Sequence, residues 1–127
     1  MDNQKILVVD DDPAAVKDVR AVLDQAGYNV YSVNTAEEVF DKLKQVNPDL
    51  IILDLVLEHE SGFKVAKEIK SSPKYKNIPI IIVSLRKDDI DKWVAALSGA
   101  TEYLEKPVNP QDLLFHVKDI LSRKESR

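Results

Sequence analysis

Cysteine is absent from all 127 positions, which excludes disulfide bridges and thiolate metal sites and suits a reducing compartment, so a cytoplasmic location is expected. No apolar run approaches the ~20 residues that a membrane-spanning helix needs. Met1 to Lys5 is too short and polar to act as a secretory signal. Basic residues are outnumbered 18 to 22, for a formal charge of -4, and no basic stripe stands out, so direct nucleic-acid binding is not expected. Linkers, internal repeats and low-complexity tracts are missing too. What remains is a globular balance, 44% hydrophobic and 31% charged, long enough to bury a core without a staple. The expectation is one domain over residues 1–127, with its core in 5–121 and a polar, frayed tail in 122–127.

Strand-like and helix-like segments alternate along the chain. The central stretch is Asp49 to Leu57, D-L-I-I-L-D-L-V-L, which reads as a strand from Leu50 to Leu55 buried on both faces. Four more strands are predicted at Lys5 to Asp10, Tyr28 to Val33, Ile78 to Ser84 and Thr101 to Leu104. Helices are predicted from Asp12-Pro13 to Gln25, stopped by Gly27, and from an Asn34 or Thr35 cap to Gln45. A third runs from Phe63 to Lys70, a fourth from Asp88 or Asp89 to Gly99, and a fifth from Pro110 to Leu121. Five strands, most of them apolar throughout, separated by five helices make an α/β fold, a doubly wound parallel sheet covered on both faces. The flavodoxin-like order 2-1-3-4-5 is the known pattern for such a chain, and its ligands bind beyond the carboxyl ends of the strands.

At those ends stand Asp10, Asp11 and Asp12 after strand one, Asp54 in strand three, Ser84 at the end of strand four and Lys106 after strand five. A carboxylate such as Asp54 inside an aliphatic strand costs several kcal/mol unless partners hold it. Three carboxylates in one cleft repel, and a divalent cation relieves them. Oxygen ligands without His or Cys select a hard ion with room for water, which points to Mg²⁺. Asp12 reads as a helix cap. Ser84 and Lys106 add a hydroxyl and a cation, as an incoming phosphoryl group requires, with Asp54 as the nucleophile.

The motifs I-L-V-V-D-D-D-P, L-I-I-L-D with Gly62 eight residues after Asp54, I-P-I-I-I-V-S and G-A-T-E-Y-L-E-K-P stand in order on these strand ends. With them the chain resembles a response-regulator receiver domain of two-component signalling, similar to single-domain chemotaxis regulators, from Lys5 to about Leu121. The resemblance implies a signalling phosphoacceptor rather than an enzyme. In it Asp54 takes phosphate from a phosphohistidine on a sensor histidine kinase or phosphotransfer protein. It further implies Mg²⁺ held by Asp11, Asp54 and the Val56 backbone carbonyl, with Asp10 acting largely through water, and phosphoryl oxygens held by Ser84 and Lys106. Ser84 and Tyr103 would form the switch that reshapes the surface of helix four, strand five and helix five for a downstream protein or fused output domain. The Lys106-Pro107 bond matches a family position that is usually cis, an isomer that proline makes accessible at ~0.5–1 kcal/mol.

The chain departs from the pattern at Leu57-Glu58, where Met-Pro is common, at Leu85, where alanine is common, and at Val108, where an aromatic is usual. Leu85 is expected to narrow the phosphate's path and slow labelling by small phosphodonors. His59, and His116 on the outer face of the last helix, carry no metal-like company; Trp93 is expected to pack helix four, and Glu102 and Glu105 to be solvated. The competing readings are a degenerate receiver acting only as an interaction module and a haloacid-dehalogenase-type hydrolase. The hydrolase leaves Asp54 unexplained and lacks a late acidic pair. A flavodoxin-like nucleotide binder fails because its first loop would present carboxylates to a phosphate.

Overall fold

The computed structural model describes residues 3–57, 60–85 and 99–125. Its strands are β1 (Lys5–Val9), β2 (Asn29–Val33), β3 (Leu50–Asp54), β4 (Ile80–Ser84) and β5 (Glu102–Glu105). They form one parallel sheet in the order β2-β1-β3-β4-β5, the order expected. The helices are α1 (Pro13–Gln25), α2 (Val39–Val46), α3 (Gly62–Ser71) and α4 (Pro110–Glu125). Five helices were expected and four are present among the described residues. The body of the predicted helix that begins at Asp88 or Asp89, with Trp93, lies outside them, as do Glu58 and His59, whereas its predicted stop, Gly99, is described with φ 93°.

The strands form where β-branched and leucine side chains can be buried on both faces, and β3 and β4 are buried at every position. Alternation sorts these side chains into two cores. Leu7, Val9, Ile51, Leu53, Ile80 and Ile82 pack with α2 and α3. Ile6, Val8, Leu50, Ile52, Ile81 and Val83 pack with α1 and α4. Local chemistry sets the helix ends. The Asp12 side chain accepts from the Ala14 amide with Pro13 in the first turn, and Ser61 accepts from Phe63.

Several expected boundaries move. β4 starts at Ile80 because the Pro79 carbonyl already accepts from Ile51 and proline has no amide to return. β5 starts one residue late because Thr101 uses its hydroxyl to accept from Ile80 and its amide to donate to the Ile80 carbonyl. The predicted cap before α2 does not form. Thr35 donates its hydroxyl to the Glu38 carboxylate at 2.8 Å, no side-chain cap closes on the backbone, and the chain enters through a tight 3₁₀ turn at Ala36–Glu38. The last helix continues past its expected end at Leu121 to Glu125. His116 is not on an outer face: its Nδ1 lies 3.6 Å from Glu102 Oε2, which also makes Glu102 more than a solvated edge charge.

Candidate functional site

Alternation decides which strand-end residues meet. Asp10 continues the face of Ile6 and Val8, Asp54 that of Leu50 and Ile52, and Lys106 that of Leu104, all on the α1 and α4 side. Adjacent strands then bring the three together. Lys106 Nζ lies 2.9 Å from Asp10 Oδ2 and 3.3 Å from Asp54 Oδ2. Asp10, Asp11 and Asp54 each offer a carboxylate oxygen within 4.8 Å of the others. Asp10 and Asp54 are buried and Asp11 is half-buried. Ser84 and Tyr103 fall on the opposite parity and share the α2 and α3 side of the sheet, in register through the Ile82 and Tyr103 pair. Ser84 is buried, and its carbonyl accepts from the Lys106 amide at 2.8 Å. Tyr103 is half-buried. The Lys106–Pro107 peptide is cis.

Backbone amides complete the cradle. The Asp12 amide donates to Asp10 Oδ1 at 2.9 Å, and the Val56 amide donates to Asp54 Oδ1 at 3.1 Å. Every oxygen of Asp10 and Asp54 therefore has a donor, which is how two carboxylates persist in a buried strand end. Burial pushes the Asp54 carboxyl up from 3.8 to about 6 against the pull of the Val56 amide; the Asp10 charge adds to the rise and Lys106 opposes it. Burial also works against the charge of Lys106, but the hydrogen bonds and charges of Asp10 and Asp54 outweigh it and raise its pKa.

The loop after Asp54 is folded tightly back on itself. Gly62 donates to the Leu55 carbonyl at 2.7 Å, and Val56 bridges to Ser61. A Cβ at Gly62 would stand 2.1 Å from the Asp54 carbonyl oxygen. The spacing of Gly62 from Asp54 was visible in the sequence, but its steric purpose was not. Sequence reasoning also missed the Val56 and Asp12 amides as donors, because a backbone group carries no residue signature. Leu85 is 70% exposed and lines the rim of the pocket that holds Asp54 and Lys106.

A family model for the response regulator receiver domain matches residues 6–118. The chain belongs to the response-regulator receiver domain family. It is 34% identical over 123 residues to the alkaline phosphatase synthesis transcriptional regulatory protein PhoP of Bacillus subtilis, covering 97% of this chain and 50% of that protein. This receiver thus spans about half the length of the curated relatives it matches. Among solved structures it is similar to a CheY-like receiver domain protein of Methanospirillum hungatei, with a TM-score of 0.90 and 28% identity over 98% of each chain. It is also similar to the Vibrio cholerae chemotaxis protein CheY4, with a TM-score of 0.88 and 29% identity over 94% of this chain and 99% of that one. Receiver domains are signalling phosphoacceptors of two-component systems that bind Mg²⁺ at an acidic pocket, and this chain carries such an acidic group in Asp10, Asp11 and Asp54. No described helix is long and apolar enough to cross a membrane.

Proposed function

We propose that Asp54 is the phosphoacceptor of this receiver and that residues 1–127 form one domain. The observation that carries the reading is the meeting of Asp10, Asp11 and Asp54 with Lys106 at the buried carboxyl ends of β1, β3 and β5. The donor set is all oxygen with no His or Cys, and it fits a hard divalent ion. Asp10, Asp11, Asp54 and the Val56 carbonyl would hold Mg²⁺, which supplies charge neutralisation for the phosphoryl oxygens when bound. Lys106 keeps Asp10 and Asp54 compensated meanwhile.

With a pKa of about 6, Asp54 is mostly ionised at neutral pH and able to attack. Its oxygen forms the new O–P bond as the P–N bond of a donor phosphohistidine breaks, and the departing imidazole nitrogen takes a proton from solvent. Lys106 and the Ser84 hydroxyl hold the transferred oxygens. Ser84 then draws Tyr103 with it, since both lie on the same side of neighbouring strands, and the changed β5 surface is read by a downstream protein or output domain. The donor is a sensor histidine kinase or a histidine phosphotransfer protein.

Fluorine NMR with beryllofluoride tests the reading. A bound resonance that needs Mg²⁺ and disappears in Asp54→Asn is expected; no bound resonance in the folded wild type would leave an interaction module instead.

A further inference from the structure

The acidic site is the mouth of something larger. Beneath Lys106 a cavity of about 290 Å³ runs between α1, the sheet and α4. Small side chains are among those facing it, Ala14 and Ala15 from α1 and Val108 from the segment before α4. Val19, Val22 and Val108 line it and stay half-buried although they point at the core side of their elements, as expected where partner atoms are missing. Apolar cavities of about half this size accept a benzene ring.

Its polar lining is one-sided. Asp10, Asp12, Asp18 and Asp54 face one cation, Lys106. Asp10 and Asp54 are matched with Lys106, while Asp12 and Asp18 stand exposed on the α1 rim. Without a divalent ion an anion meets net repulsion there, and a neutral apolar molecule gains nothing from the rim. We infer that this cavity is a binding site for a small organic cation of the arylalkylamine class, its ring between α1 and α4 and its ammonium against Asp12 and Asp18. The inference stands on the cavity and its rim. It does not rest on Asp54 accepting phosphate, so a failure of that chemistry leaves it intact.

Phenethylamine titrated into the metal-free full chain, followed by methyl NMR, provides the test. Saturable shifts are expected with a dissociation constant on the order of 1 mM, the range for a ligand of this size, together with contacts from the ring to the Val22 and Leu113 methyls. Val108→Phe, whose ring occupies the cavity, is expected to weaken binding about tenfold or more, and Asp18→Asn about threefold. Phenethyl alcohol, the uncharged analogue, is expected to bind about threefold more weakly or worse. Absence of shifts at ~10 mM amine, ring contacts elsewhere on the surface, or equal binding of amine and alcohol would overturn the proposal. If Val108→Phe fails to fold, the contacts to Val22 and Leu113 decide the matter alone.

Discussion

Asp49 and Asp54 flank the same strand, five residues apart in sequence, and their surroundings give them opposite tasks. Asp49 sits before the amino end of β3, where its carboxylate accepts from the Lys5 amide at 2.8 Å and its own amide donates to the Lys5 carbonyl at 2.8 Å. That reciprocal pair fastens β3 to β1. Asp54 sits at the other end, more deeply buried, sharing one ammonium with a second carboxylate. The same contrast holds for two half-buried lysines. Among the described residues Lys70 donates to the neutral carbonyls of Lys76 and Ile78, and burial lowers its pKa; Lys106 meets two carboxylates and its pKa rises. One end of the sheet spends its polar groups on closing the fold, and the other holds charge that a ligand can claim.

The widest gap between the two aspartates is expected in chemistry. Asp54→Asn should reduce phosphoryl uptake from a small phosphodonor by about 100-fold or more, whereas Asp49→Asn should leave it within about twofold, both read by intact mass. Stability provides the next contrast. Gly62→Ala drives a Cβ into the Asp54 carbonyl and is expected to cost about 3 kcal/mol in urea unfolding. Asp49→Asn, which weakens one charge-assisted hydrogen bond, is expected to cost about 1 kcal/mol.

The pH dependence separates the aspartates more finely. Asp54 binds its proton more tightly folded than unfolded, so without metal its contribution to stability is present below pH 3.8 and is lost as pH rises through about 6. Discounted for screening at the cleft mouth, the loss is about 1–2 kcal/mol. Asp54→Asn should remove this decline, measured as urea midpoints from pH 4 to 7 in metal-free buffer, and Asp49→Asn should retain it. Identical curves for wild type and Asp54→Asn would contradict the assignment of that proton.

Much of this contrast could be read before the fold was seen. Asp54 stood out because one carboxylate interrupts an aliphatic run, Asp10, Asp11 and Ser84 because they end apolar segments of strand length, and Lys106 because it follows the last short strand directly before Pro107. The parallel order then fixed which of them are neighbours. Other features depend on packing and were not legible. The 3₁₀ turn before α2 arises because Thr35 bonds to the Glu38 side chain rather than to a backbone amide. His116 finds Glu102 only through the placement of α4 beside β5, and Lys70 finds its carbonyls only once the loop after α3 folds over it. The cavity beside the acidic site is lined by small side chains from two distant stretches of sequence, Ala14 and Ala15 in α1 and Val108 before α4.

Intact-mass spectrometry after incubation with acetyl phosphate and Mg²⁺, followed by peptide mapping, tests the central claim most directly. The account predicts one phosphoryl group per chain, mapped to Asp54, dependent on Mg²⁺ and absent from Asp54→Asn. Phosphorylation that persists in Asp54→Asn, or that maps to another residue of the wild type, would contradict it.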